Sequence, residues 1–271
     1  MKRAVERGLS RRTHEDVHLI GVDEKAFKRG HNYFTIVSNL EDGTVLHVEE
    51  TRKRVALESF YDELTDAQRD EIYAVAMDIW EPYVSATKDR LPEVPIVFDK
   101  SHVVRHLVDA VDKMRRQENK MLRKENDTRL TGTKYDWLRN PEKMTEERRK
   151  GFEILKNSNL KTARAWAIKD TLSDLWGYVY EGAARNFFNS WYGWAARSRL
   201  EPIKKAAKTV KTHLDNILTY LKFPITNAMA EGVNSKIQWI KYTARGFRNR
   251  LNFKTAILFH CGGLDLYPHQ I

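Results

Sequence analysis

The sequence predicts an α/β protein: a mixed five-stranded sheet with flanking helices, interrupted by a large all-α insertion. Three observations predict it. Residues 17–48 hold three β-rich runs joined by short connections, and residues 55–99 alternate helical with strand patterning. Residues 103–223 then carry almost no strand signal. A meander followed by alternating helices and strands implies a sheet with antiparallel and parallel parts, the parallel pairs being joined by right-handed crossovers.

The elements follow in order. Residues Met1 to Arg12 contain five basic residues and one acid, with Gly8, and read as the tail of a helix leading into a linker. Val17, Leu19, Ile20 and Val22 form the first strand run, ending at Asp23. Tyr33 to Val37 form the second, and Glu41-Asp42-Gly43 supplies a turn with the Asp-Gly hairpin signal. Val45, Leu46 and Val48 make the third. Val55, Leu57, Phe60, Tyr61 and Leu64 recur at near-helical spacing, and Asp66 reads as the N-cap of a second helical stretch. Tyr73 to Met77 form a fourth strand ending at Asp78. A helix from about Tyr83 to Leu91 leads through Pro92 and Pro95 to the fifth, Ile96-Val97-Phe98, ending at Asp99.

The insertion is rich in Lys, Arg, Glu, Leu and Ala, with breaks expected at Pro141 and Pro202. It holds Trp137, Trp166, Trp176, Trp191 and Trp194, which are expected in its core rather than against a ligand. After Pro224, Thr226 or Asn227 is a candidate N-cap. In the helix that follows, Val233, Ile237 and Ile240 share one face, while Glu231, Asn234 and Gln238 share another. The chain thus divides into segments 1–16, 17–102, 103–223 and 224–271.

Composition narrows the function. A chain of 271 residues with 41% hydrophobic content can build one large domain with an insertion. Its apolar runs are too short to span a bilayer and its N-terminus lacks an apolar signal segment, so a cytoplasmic protein without membrane contact is expected. The single Cys261 excludes internal disulfides and a cysteine-based zinc ribbon. A net charge of +10 and a pI near 9.5 point to a polyanionic partner, nucleic acid above all.

Three acids carry the chemistry. Asp23 and Asp78 each end a strand run, and Glu231 sits near the start of an amphipathic helix. Carboxylates gathered from separate strands and a helix can hold two divalent cations for phosphodiester chemistry. Read singly, Asp23 is also an ordinary turn aspartate, Glu231 a first-turn acid favoured by the helix dipole, and His102 a structural histidine. His31 and Cys261 read as structural or incidental. The basic tract Lys236, Lys241, Arg245, Arg248, Arg250 and Lys254, interleaved with Trp239, Tyr242 and Phe247, is either a solvated face or a surface for DNA.

Four stretches resemble the insertion-sequence transposases of the ISL-three group. They are residues 20–31 (Ile20-Gly21-Val22-Asp23-Glu24 through His31), Met77-Asp78-Ile79-Trp80, Val97-Phe98-Asp99-Lys100-Ser101-His102-Val103, and the tract from Thr226 to Phe253. The last includes Glu231-Gly232-Val233-Asn234-Ser235-Lys236 and Arg245-Gly246-Phe247-Arg248-Asn249. The resemblance runs from about residue 17 to 260. It implies an RNase H-like core with an Asp-Asp-Glu triad (Asp23, Asp78, Glu231) holding two Mg²⁺ ions, with Mn²⁺ a possible substitute. It implies cleavage of transposon ends and strand transfer into target DNA, by a bacterial protein that works as a homodimer or larger assembly on the nucleoid.

Members of the group are expected to carry an N-terminal zinc ribbon and helix-turn-helix, of which residues 1–12 resemble only the end. Two other readings remain: a DNA-binding relic without transposition activity, and an RNase H-like nuclease.

Asp78 and Asp99 compete for the place of second aspartate. In an RNase H-like sheet the fourth strand neighbours the first and the fifth lies beyond it. Strands are about 4.8 Å apart, so Asp78 starts ~5 Å from Asp23 and Asp99 ~10 Å. Two metals roughly 3.5–4 Å apart need a shared carboxylate, which favours Asp78. Asp99 and His102 then match the Cys/Asp-x-x-His signature that follows the second aspartate in transposases with helical insertions. Supporting roles are expected for Asp99, His102, Asn227 and Asn234.

Overall fold

Strands β1 (Leu19–Lys28), β2 (Asn32–Asn39), β3 (Val45–Glu49), β4 (Ala74–Met77) and β5 (Ile96–Phe98) form one sheet in the order β3-β2-β1-β4-β5. β1 pairs antiparallel with β2 and parallel with β4, β2 pairs antiparallel with β3, and β4 pairs parallel with β5. As the resemblance implied, the fourth strand neighbours the first and the fifth lies beyond it. The computed structural model describes residues 1–28, 32–225 and 228–268. The candidate caps Thr226 and Asn227, and His31, lie outside the described residues.

The chain forms two compact units, one of residues 1–99 with 223–271 and one of residues 100–222. In the first, helices cover both faces of the sheet. Along β2 the side chains alternate. Phe34 and Ile36 join a buried cluster with Phe27, Val48, Val233, Ile237, Ile240, Phe253 and Ile257. Thr35, between them, turns to the other face, where its hydroxyl lies 2.7 Å from that of Tyr83.

Helices α12 (Ala228–Thr243) and α13 (Arg250–Cys261) supply the first cover. Val233, Ile237 and Ile240 recur four and three apart, one stripe of α12, and Ile237 is completely buried. Helices α2 (Val55–Glu63) and α4 (Glu81–Arg90) supply the second, burying Leu57, Phe60, Tyr61, Tyr83 and Val84. Helix α1 (Lys2–Arg11) places Val5 in the α12–α13 cluster.

Among the boundaries that differ from expectation, two have a clear local cause. β1 does not end at Asp23 but continues to Lys28, because Glu24 to Ala26 pair with Thr35 to Tyr33 of β2. The short helix α3 (Asp66–Asp70) is capped by Thr65 rather than Asp66. Thr65 Oγ1 accepts the Gln68 N–H and the Gln68 side chain accepts the Thr65 N–H, a reciprocal capping box. The expected Asp-Gly turn is present, with Gly43 at φ +77°, a conformation that a β-carbon disfavours.

The second unit is all helical: α5 (Lys100–Leu122), α6 (Lys134–Leu138), α7 (Glu146–Lys156), α8 (Lys161–Leu172), α9 (Glu181–Arg197), α10 (Glu201–Thr212) and α11 (Leu214–Leu218), with short 3₁₀ turns. Pro141 opens a 3₁₀ turn and Pro202 lies in the first turn of α10, where its missing N–H costs no bond. Trp137, Trp166 and Trp191 are buried. Trp137 and Trp166 meet Phe152 edge-on at 5.1 and 5.3 Å. Glu118 of α5 accepts the N–H groups of Lys161 and Thr162 and so caps α8.

Candidate active site

Parallel pairing brings three aspartates to one end of the sheet. Val22, Met77 and Phe98 stand in register across β1, β4 and β5. Each is followed by an acid: Asp23, Asp78 and Asp99. Strand spacing of about 4.8 Å puts Asp78 between the other two. Carboxylate oxygens of Asp78 and Asp99 lie within 4.8 Å of each other. A backbone bond from the Asp99 N–H to the Met77 carbonyl, 3.4 Å, extends the ladder to this point. His102 follows in the first turn of α5.

Asp23 is half-buried on the face covered by α12, directly opposite Ile36. One carboxylate oxygen accepts the Glu24 N–H at 2.6 Å, and the other accepts the side-chain amide of Asn234. Seven residues on, the Lys241 ammonium donates to the Ala26 carbonyl at 2.9 Å. From Asn234 to Lys241 the helix rises about 10.5 Å, and from Asp23 to Ala26 the strand rises about 10 Å. The two therefore run side by side in the same direction.

Glu231 is exposed, one turn before Asn234 and about 4.5 Å back along the axis, on the same side of α12 as Asn234. Among the described residues, the ligand oxygens of Asp23, Asp78 and Glu231 do not all lie within 4.8 Å of one another. A shared single ion at ~2.1 Å bonds would demand such closeness. Two ions roughly 3.5–4 Å apart relax the allowed span to about 8 Å.

The next strand positions carry more charge. Glu24 points to the α2–α4 face and meets the Arg52 guanidinium at 3.4 Å. Burial pushes the Glu24 carboxyl above its usual range; Arg52 opposes this, and the charges of Asp78 and Asp23 add to it. Burial lowers the Lys25 ammonium, with Asp23 opposing and Lys241 assisting. Sequence reasoning passed over Glu24, Arg52 and Trp80. Arg52 stacks on the Trp80 ring at 4.5 Å and on the Tyr33 ring at 4.6 Å, and its carbonyl accepts the Trp80 indole N–H. Glu24, directly after Asp23, and Trp80, two residues after Asp78, stood in stretches that pointed to the site, whereas Arg52 did not.

The basic tract lies on α12 and the segment into α13. Lys236, Arg245 and Arg248 are exposed, together with Trp239 and Tyr242, whereas Lys241 and Arg250 are half-buried. Arg250 is tied to the sheet rim by donating to Asn32 and pairing with Glu50 at 4.0 Å.

A family model described as transposase, that of the DDE transposases of the ISL-three group, matches residues 20–257. The chain belongs to this family. The transposase for insertion sequence element IS1001 of Bordetella parapertussis is 27% identical over 240 residues, 88% of this chain and 59% of that protein. The transposase for insertion sequence element IS1557 of Mycobacterium tuberculosis is 25% identical over 253 residues, 85% of this chain and 57% of the relative. The chain thus spans less than two thirds of the length of the curated relatives it matches. No described helix of this transposase chain is long and apolar enough to cross a membrane.

Proposed function

We propose that this chain is the catalytic part of a transposase that cleaves the ends of an insertion sequence and joins them to target DNA. The observation that carries this reading is the Asn234–Asp23 hydrogen bond. It draws the Glu231-bearing helix to the sheet end where Asp23 and Asp78 stand side by side. The donor set fits a hard divalent ion, because every candidate ligand is a carboxylate oxygen.

Asp23, Asp78 and Glu231 would hold two Mg²⁺ ions, or Mn²⁺ in their place. When bound, such ions activate the attacking water or 3′-hydroxyl and stabilise the leaving oxygen of an in-line displacement. The chain's own residues do the positioning. Asn234 fixes the orientation of Asp23. Asp99 would support Asp78 from the neighbouring strand end, and a supporting role is kept for His102 from its place in the Asp-x-x-His motif. Lys236, Arg245 and Arg248 offer charge to the DNA backbone beside the acids, and Lys241 and Arg250 brace α12 and α13 against the sheet. The chain acts on DNA in the bacterial cytoplasm, on the nucleoid, as a dimer or larger assembly, since two ends must be joined together.

The test incubates end-labelled DNA carrying the element's termini with Mg²⁺ or Mn²⁺, comparing wild type with Asp78→Asn and Asp99→Asn. Cleavage abolished by Asp78→Asn and retained in Asp99→Asn supports the assignment. Cleavage abolished only by Asp99→Asn moves the second ligand to that residue. No wild-type cleavage of any DNA, with the DNA nevertheless bound, points to a binding relic.

A further inference from the structure

A cavity of about 670 Å³ opens on the rim of the sheet beyond Asp23, and nothing in the proposed chemistry uses it. Its walls include Tyr33, Arg52, Lys53, Trp80, Pro82 and Arg250. The volume falls in the range of small-ligand sites, about 300–1,000 Å³. We propose that this cavity is a subsite for one unpaired nucleotide of the DNA strand being processed. The inference rests on the reading that the chain acts on DNA.

Position is the first argument. Tyr33 pairs with Ala26, three residues past Asp23 on the same strand, which is about 10 Å along β1. Trp80 lies two residues past Asp78. The cavity therefore opens at the same end of the sheet as the acids, on the side covered by α2 and α4.

Chemistry is the second. Arg52 lies over both aromatic rings and pairs with Glu24, so an indole, a phenol and a guanidinium stand together on one wall. Flat π surfaces and guanidinium planes are what nucleobases stack on, whatever their sequence. The rim carries Lys53, Arg54 and Arg250 against Glu50 and Glu81, and Lys53 is exposed and has no ion pair with an acid among the described residues. An aromatic floor with a cationic rim matches a base joined to its phosphate. A nucleotide inside a duplex cannot present its face to such a wall, so the occupant is unpaired.

The test measures binding by the full chain of a short single-stranded oligonucleotide containing 2-aminopurine, without divalent metal, by fluorescence. A duplex of the same length serves as a second probe. Trp80→Ala is expected to weaken binding of the single strand about tenfold or more, with little effect on the duplex, whereas Trp80→Phe keeps most of the affinity. Lys53→Glu, at an exposed position that the fold does not need, should weaken it as well. If Trp80→Ala and Lys53→Glu bind the single strand as wild type does, the subsite is wrong and the DNA reading stands. If wild type binds neither probe, both readings fall together.

Discussion

The side-chain amide of Asn234 donates to the carboxylate of Asp23, joining a helix and a strand that lie 211 residues apart in the chain. Asp23 has two oxygens, and the Glu24 N–H holds the other. The carboxylate is therefore fixed at both ends before any ligand arrives. Asn234→Asp would replace a donor with a second anion. Metal-dependent cleavage is expected to drop at least tenfold, and Asn234→Ala should cost about 1–3 kcal/mol of stability by stripping Asp23 of its partner. Rates of cleavage and urea denaturation of both variants check this.

Helix α12 owes its placement to three apolar side chains, of which Ile237 is completely buried. Ile237→Ala should cost about 2–4 kcal/mol, the transfer term plus that of the cavity left beneath the helix. Because the same helix carries Glu231 and Asn234, activity is expected to fall further than the loss of folded protein accounts for. Denaturant midpoints and rates per folded molecule, measured together, separate the two effects.

Glu24 gives the fold a pH signature. Burial, reinforced by Asp78 and Asp23 and opposed by Arg52, raises its carboxyl above the unfolded value. The fold thus holds the proton more tightly than the unfolded chain does. The resulting stability is fully present below the unfolded pKa and is lost as pH rises through the raised folded pKa. Glu24→Gln cannot ionise, so its melting temperature should gain on wild type as pH rises from about 4 to 7. A difference between the two proteins that stays constant with pH would contradict the assignment.

Salt dependence tests the basic surface. Lys236, Arg245 and Arg248 are exposed along α12 and the segment after it. If each meets one phosphate, its replacement by Ala should lower the slope of log affinity against log salt by about 0.9 for duplex DNA. Affinity titrations over a range of salt concentrations give that slope. Slopes equal to wild type would return these residues to a solvated face.

Much of this was legible in the chain because strands and helices announce themselves by period. Ile96-Val97-Phe98, bounded by Pro95 and Asp99, could only be a short buried strand. Val233, Ile237 and Ile240 could only be one face of a helix. Asp23 was harder, since the charged Glu24 and Lys25 after it hide a strand that persists through pairing with β2. The Thr65-x-x-Gln68 capping pattern was visible in the sequence yet Asp66 competed with it, both being good caps. Asn234 could be placed on the side of α12 that carries Glu231, but its partner could not be read, because nothing local links Asn234 to a strand near the start of the chain. Arg52 and Trp80 belong to two separate connections and Tyr33 to strand β2, and only the topology stacks them.

The most direct measurement is a crystal of the chain bound to DNA and Mn²⁺, with the ions located by their anomalous scattering. Two ions are expected roughly 4 Å apart, with Asp23, Asp78 and Glu231 all among their ligands. Ions held at Asp78 and Asp99 with Asp23 or Glu231 taking no part would contradict it.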